Sequence, residues 1–139
     1  MPHQFSLVDL QRSSSARVHI LLADDFAPWR SRVRSFLQLE TGWKIVSEAC
    51  DGLEAVQKAA ELHPDVVLLD LSMPGLNGIE ATRRIRQCSP ASKIVIFTQY
   101  EDEDLRAAAL QAGAVAYVLK AEMTTELVPA IRAALRTRC

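Results

Sequence analysis

The fold of this chain follows from residues 66–75, Val66-Val67-Leu68-Leu69-Asp70-Leu71-Ser72-Met73-Pro74-Gly75, in which an apolar run ends at a carboxylate and a turn. Three other apolar runs also end at polar residues, which are Asp24-Asp25 after Ala23, Thr98 after Phe97, and Lys120 after Leu119. If the runs are parallel strands, their carboxyl ends meet at one edge of a sheet, where open α/β sheets bind ligands. The sequence therefore predicts three carboxylates, a hydroxyl and an ammonium at that edge.

Helical patterns alternate with the apolar runs from residue 17 onward. One predicted helical face carries Phe26, Trp29, Val33 and Phe36-Leu37. A second face further along the chain carries Leu53, Val56 and Ala59-Ala60. Strand patterns that alternate with helical ones are typical of βα units and a parallel sheet. Five such units fit the chain, so we expect an α/β fold with a single domain and a doubly wound, five-stranded parallel sheet.

Several polar residues mark where elements begin. Asp51 and Asn77 are each followed three residues later by glutamate, a pattern typical of helix N-termini. The acidic run 101–104 fits the positive end of a helix dipole better than a second metal site. We expect the last helix to begin near residue 124 or 125. The run 43–49 alternates along the chain and is predicted to form an edge strand.

Composition narrows the class of protein. The formal net charge is −1, from 16 basic and 17 acidic residues, so the chain has no general attraction to nucleic acid or to an anionic membrane. We therefore expect no direct nucleic-acid binding and no membrane association. Cys50, Cys88 and Cys139 form neither a C-x-x-C pair nor a metal-finger spacing, which favours a reduced, cytoplasmic setting.

The predicted sheet edge has the residues for phosphoryl chemistry. Asp24, Asp25 and Asp70 would repel one another unless a cation lay between them. Hard carboxylate oxygens suit Mg²⁺, which proteins usually hold with one or two carboxylates plus phosphate oxygens. Asp70 can then serve as a nucleophile that forms an acyl phosphate. Taken in isolation, Asp24-Asp25 would also fit a strand end followed by a helix cap.

These residues, in this order, give the chain a close resemblance to the receiver domains of two-component response regulators. The motifs that carry the resemblance are Asp24-Asp25, the stretch Asp70–Glu80, Thr98, and Tyr117-Val118-Leu119-Lys120. The sequence around residues 70–86 is most similar to receivers of the LuxR/NarL type, which carry a helix-turn-helix output domain downstream. The resemblance implies a flavodoxin-like sheet with strand order 2-1-3-4-5. We expect a flexible tail over residues 1–16, a receiver domain over 17–138, and no output domain.

The resemblance also implies a role for each site residue. Asp70 would be the phosphoacceptor, Lys120 the counter-ion of the phosphoryl group, and Thr98 a hydroxyl donor to it. The cofactor would be Mg²⁺ (or Mn²⁺), and the implied metal ligands are Asp24 partly through water, Asp25, Asp70 and the backbone carbonyl of Ser72. Thr98 and Tyr117 would form the conformational switch. The residues expected to tune access to the site are Ser72, Gln99 and Tyr100.

The predicted function is a signalling switch rather than an enzyme. A sensor histidine kinase or a phosphotransfer protein would phosphorylate Asp70, and the change would reach a partner, an output domain or a homodimer. One alternative is a pseudo-receiver that acts only as a dimerisation module. A less favoured alternative is a phosphatase of the haloacid dehalogenase type, which normally has a second aspartate two residues after its nucleophile, where this chain has Ser72.

Overall fold

The computed structural model describes residues 17–137, so the tail expected over residues 1–16 and the last residue of the expected domain, 138, lie outside the described part. Five parallel strands form one sheet in the order β2-β1-β3-β4-β5, which confirms the predicted fold class and strand order. The strands are β1 (Val18–Ala23), β2 (Trp43–Ala49), β3 (Val66–Leu69), β4 (Lys93–Thr98) and β5 (Ala116–Leu119).

Helices cover both faces of the sheet. They are α1 (Ala27–Leu37), α2 (Gly52–Leu62), α3 (Gly78–Cys88), α4 (Glu103–Ala112) and α5 (Val128–Arg136), with a 3₁₀ turn (Lys120–Glu122) and a π turn (Met123–Leu127) between β5 and α5. Helices α2, α3 and α4 pack on one face of the sheet, and α1 and α5 pack on the other. None of the helices within residues 17–137 is long and apolar enough to cross a bilayer.

Strand β3 is central because both of its faces are covered. Its four residues are completely buried. Val67 and Leu69 join the core under α2, α3 and α4, whereas Val66 and Leu68 join the core under α1 and α5. This double burial explains why the strand reads as a continuous apolar run and why Asp70 leaves the sheet at its middle.

The predicted helix starts are confirmed by side-chain caps. The carboxylate of Asp51 and the amide oxygen of Asn77 each accept a hydrogen bond from the backbone N–H three residues further on, at 2.7 and 2.9 Å. Asp102, within the acidic run, accepts from the N–H groups of residues 104 and 105 and caps α4. These caps satisfy N–H groups that lack a partner inside the helix.

Two expectations, one about the buried face of α2 and one about the start of the last helix, were wrong in part. On α2 the prediction was right for Val56 and Ala59, which pack on the core, and wrong for Leu53, which is 51% exposed, and for Ala60, which is also exposed. Ala55 joins Ala59 in the buried stripe instead. The small side chains let α2 approach the sheet more closely than a leucine stripe would. The last α-helix begins at Val128 rather than near residue 124, because Pro129 lacks an N–H and the preceding turn adopts π geometry.

A chain of hydroxyl groups closes the amino edge of the sheet, opposite the predicted site. Ser92 donates its hydroxyl to the carbonyl oxygen of Pro64, and the Ser89 and Ser92 oxygens lie 2.7 Å apart. Nδ1 of His63 lies 3.2 Å from the Ser89 oxygen. Since a carbonyl can only accept, the Ser92 hydroxyl donates to Pro64 and must accept a hydrogen bond from the Ser89 hydroxyl. Ser89 in turn must accept a hydrogen bond from Nδ1–H of His63.

Candidate functional site

The carboxyl edge of the sheet gathers the residues that the sequence singled out. Asp24 follows β1, Asp70 follows β3, Thr98 ends β4, and Lys120 follows β5. All four are buried, with the two carboxylates and the lysine between 1% and 6% exposed. Charged side chains are rarely buried to this degree unless they are paired. Their clustering therefore marks this edge as a functional site.

Lys120 joins the two buried carboxylates. Its Nζ lies 2.7 Å from Oδ2 of Asp24 and 3.3 Å from Oδ2 of Asp70. The second oxygen of Asp24 accepts from the backbone N–H of Phe26 at 2.9 Å, and that of Asp70 accepts weakly from the N–H of Ser72 at 3.4 Å. The ammonium is thus held between two strands, next to the proposed phosphoacceptor.

The three carboxylates also form a group that fits a divalent cation. One oxygen each from Asp24, Asp25 and Asp70 lies within 4.8 Å of the others, and Asp25 is exposed to solvent. Three carboxylates against one ammonium leave the site with a formal charge of −2. A hard cation such as Mg²⁺ would balance that charge with the oxygen ligands that it prefers.

The surroundings of Asp70 make its charge costly. Burial raises the pKa of its carboxyl above the ordinary value, and the nearby carboxylate of Asp24 raises it further. The Lys120 ammonium and the Ser72 N–H oppose this rise without cancelling it. An ionised Asp70 is therefore under-compensated by the protein alone, which is the condition that a bound cation would relieve.

A cavity of about 290 Å³ opens beside these charges. Its lining residues are Asp25, Phe26, Trp29, Asp70, Ser72, Gln99 and Lys120. Gln99 and Ser72 thus lie where the sequence placed access-tuning residues. Phe26 and Trp29 were read only as core-facing residues, and Phe26 is in fact 55% exposed at the cavity wall. Their position one and four residues after Asp25 was the signal that could have identified them.

Tyr100 connects the remaining predicted residues. Its backbone N–H donates to the buried Thr98 hydroxyl at 3.3 Å, and its carbonyl accepts from the Tyr117 hydroxyl at 2.6 Å. The Tyr100 hydroxyl lies 3.4 Å from Oγ of Ser72. Thr98, Tyr117 and Ser72 therefore meet at one residue, and partial burial raises the pKa of the Tyr117 hydroxyl.

Two close contacts that the sequence did not reveal hold the site in place. Arg30 on α1 donates to the backbone carbonyl of Asp24 at 2.6 Å and to Glu48 on β2 at 3.1 Å. Gly78 lies so close to the strand end that a Cβ there would be 2.5 Å from the Asp70 carbonyl oxygen. Both contacts fix the backbone that carries a site carboxylate.

A second acidic group, Cys50 with Asp51 and Glu54, also brings its ligand atoms within 4.8 Å of one another. Glu54 already pairs with Lys58 at 3.1 Å and accepts from the Cys50 N–H at 2.8 Å. Asp51 caps α2. These local bonds account for the group as a helix start.

Comparison with known proteins agrees with this geometry. The family model of the response regulator receiver domain matches residues 20–132. The transcriptional regulatory protein LiaR of Bacillus subtilis (strain 168) is 40% identical over 117 residues, which are 84% of this chain and 56% of LiaR. The chain spans about half the length of the curated relatives it matches.

Two solved structures extend the match to three dimensions. A LuxR-family response regulator from Aurantimonas sp. SI85-9A1 is 42% identical, with a TM-score of 0.81 over 85% of this chain and 84% of that one. The isolated receiver domain of RcsB from Salmonella enterica serovar Typhimurium, solved in the presence of the phosphomimetic BeF₃⁻, is 26% identical, with a TM-score of 0.77 over 84% and 86%. The chain therefore belongs to the response regulator receiver domains of two-component signalling, close to those of the LuxR/NarL type.

Proposed function

We propose that Asp70 accepts a phosphoryl group from the phosphohistidine of a sensor histidine kinase or a phosphotransfer protein. The observation that carries this proposal is the buried Lys120 ammonium, 3.3 Å from Asp70 within a group of three carboxylates. The Lys120 ammonium and the weakly hydrogen-bonded Asp70 carboxylate lie beside an open cavity, and together they form a binding site for a dianionic group. The RcsB receiver, whose structure was determined in the presence of a phosphomimetic, shares this fold and supports the assignment.

In the proposed reaction, a carboxylate oxygen of Asp70 attacks the phosphorus atom and forms the new P–O bond. The bond between phosphorus and the donor nitrogen breaks, and its electron pair stays on the donor imidazole. Lys120 is placed to follow the phosphoryl oxygens as they arrive, because its ammonium sits on a flexible stem. Catalysis here is mostly positioning and electrostatics.

The cofactor that we assign to the site is Mg²⁺ (or Mn²⁺). Asp25 and Asp70 would bind the ion directly, with the Ser72 backbone carbonyl as a third ligand and Asp24 acting partly through water. When bound, the ion would supply the positive charge that shields the incoming phosphoryl oxygens from the three carboxylates. The carboxylate oxygens within 4.8 Å of one another support this assignment.

We further propose that Thr98 and Tyr117 transmit the change. The Thr98 hydroxyl would turn from the Tyr100 N–H toward the phosphoryl oxygens, which would alter the loop whose carbonyl holds the Tyr117 hydroxyl. A phosphate group carries about −1.5 to −2 charges at neutral pH, enough to bias such a two-state arrangement. Ser72, Gln99 and Tyr100 would set how easily donor and water reach Asp70.

The wider role is that of a signalling switch and not of an enzyme with its own substrate. We infer a receiver domain over residues 17–138 that passes its state to an output domain, a partner or a second copy. The family consists of signalling proteins, and two of the relatives, LiaR and YxjL of Bacillus subtilis (strain 168), are transcriptional regulatory proteins of which the match covers 56% and 55%.

Intact mass after incubation with acetyl phosphate tests the proposal. The native chain should gain one phosphoryl group only when Mg²⁺ is present, and Asp70→Asn should gain none. Asp104→Asn is the matched control, because that exposed carboxylate on α4 belongs neither to the three-carboxylate group nor to the cavity lining, so its loss should leave the gain intact. No gain in the folded native chain at any donor concentration would favour a pseudo-receiver.

A further inference from the structure

The Lys120 ammonium has a third neighbour besides its two carboxylates. Its Nζ lies 5.1 Å from the centroid of the Trp29 ring, within the distance at which a cation is attracted to an aromatic face. An ammonium has three N–H donors, and Asp24 and Asp70 accept from two directions. The ring is therefore the third electron-rich group around a lysine that is only 6% exposed.

Trp29 is itself held in a fixed orientation. Its ring meets the ring of Phe97 edge-on, with centroids 5.9 Å apart and planes at 85°. The guanidinium of Arg32 also lies over Trp29, 4.7 Å from the ring centroid. Phe97 precedes the buried Thr98 on β4, so the ring is anchored to the same sheet edge that carries the site.

We propose that Trp29 is a positioning residue that keeps the Lys120 ammonium in the cavity while it changes acceptors, a role that rests on the proposed phosphorylation of Asp70. When the phosphoryl group arrives, Lys120 must give up Oδ2 of Asp70 for a phosphoryl oxygen. A π face attracts the ammonium without a directed hydrogen bond, so the cation can move between acceptors and stay stabilised. A carboxylate in that place would add negative charge to a site that already has three.

The rate of phosphorylation by acetyl phosphate with Mg²⁺ tests this role. Trp29→Leu should lower the rate about three- to thirtyfold, the range implied by a partly to fully desolvated cation–π contact, and Trp29→Phe should fall between it and the native chain. Site-specific 5-fluoro- and 5,7-difluorotryptophan at position 29 nearly preserve ring shape and weaken the π face. They should therefore slow the reaction stepwise, whereas a purely packing role predicts equal rates.

The chain contains a matched control. Trp43 has the guanidinium of Arg132 over its ring at 5.9 Å, at the amino end of β2 and away from the site. Trp43→Leu removes a comparable contact between a cation and a ring, so it should leave the phosphorylation rate within twofold of the native rate. A large loss of rate there would overturn the assignment of the effect to Trp29.

Nuclear magnetic resonance separates this proposal from the proposed function. The ring current of Trp29 should shift the Lys120 Hε signals in the unphosphorylated protein, and Trp29→Leu should abolish that shift. A native chain that accepts a phosphoryl group but shows no such shift, or equal rates across the fluorinated series, would overturn the positioning role alone. A clear shift in a native chain that accepts no phosphoryl group would overturn the proposed function and the role built on it.

Discussion

Gly78→Ala should displace Asp70, the proposed phosphoacceptor, while leaving the fold intact. A Cβ at position 78 would lie 2.5 Å from the carbonyl oxygen of Asp70 and 2.6 Å from Cα of Leu71, both of them backbone atoms that cannot rotate away. Ordinary van der Waals contact begins near 3.4 Å, so the first turn of α3 or the strand end must move by about 0.9 Å. Since Asp70 is the residue at that strand end, its carboxylate moves as well.

This displacement should lower both the free energy of unfolding and the rate of phosphorylation. Overpacking of this kind costs about 1–3 kcal/mol, and the better helix propensity of alanine offsets up to about 1 kcal/mol. We expect the free energy of unfolding to fall by about 1–2 kcal/mol. A misplacement of about 1 Å at a reacting group can cost roughly a hundredfold in rate, so phosphorylation should slow roughly ten- to a hundredfold.

Gly42→Ala is the matched control for this prediction. Gly42 has φ +84° with open space around it, so alanine there suffers only the left-handed backbone penalty of about 1–2 kcal/mol. It lies at the amino end of the sheet, next to Trp43. Urea unfolding should give similar losses of stability for both variants, and acetyl phosphate labelling should be slow only for Gly78→Ala. A native labelling rate in a measurably destabilised Gly78→Ala would refute the reasoning.

Three further predictions concern single residues. Tyr100→Ala should speed the loss of the phosphoryl group by about threefold or more, because the ring no longer shields the cavity mouth beside Asp70. Leu110 is equally exposed, and Leu110→Ala should leave the rate of loss unchanged. Unchanged decay of the labelled protein in both variants would contradict this prediction. At neutral pH in EDTA, the free energy of unfolding of Asp70→Asn should exceed that of the native chain by about 0.5–2 kcal/mol. Because the folded-state pKa of Asp70 is raised, the contribution of this group to stability is fully present below its unfolded-state pKa and is lost as pH rises through the folded-state pKa. The advantage of the variant should therefore grow with pH over that window in thermal melts. A constant difference would argue against burial as the cause. In nitrogen-detected spectra, His63 should be found as the Nδ1–H tautomer, since Ser89 must accept a hydrogen bond from that nitrogen. An Nε2–H tautomer would show that the hydrogen bonds of the hydroxyl chain point in the opposite direction.

The sheet and its charged edge could be predicted because their signals are local. The apolar run before Asp70 is short, rich in β-branched residues and followed by a turn, which favours a buried central strand, and the structure has that strand. Once the strands are parallel, their carboxyl ends must share an edge. Asp24, Thr98 and Lys120 then converge whatever the helices do.

The contacts that shape the site could not be predicted, because they depend on how closely two elements pack. Arg30 reaches Asp24 and Glu48 only because α1 packs at a particular position along the neighbouring strands, and no spacing in the sequence encodes that position. The orientation of Leu53 on α2 was misread for the same reason, since alanine or leucine could each have faced the sheet. Close approach favoured Ala55.

Trp29 combines a property that the local sequence pattern predicts with one that only the packing of elements determines. Its helical spacing correctly predicted that it faces inward, but an inward aromatic at the first turn of α1 meets the charged edge as well as the apolar core. A ring in that position stabilises a buried cation without competing for the carboxylates. Burial raises the pKa of Asp70, so the site costs stability, and the fully buried β3 beside it can offset that cost. Function at this edge therefore depends on side chains that the core pattern alone would assign to packing.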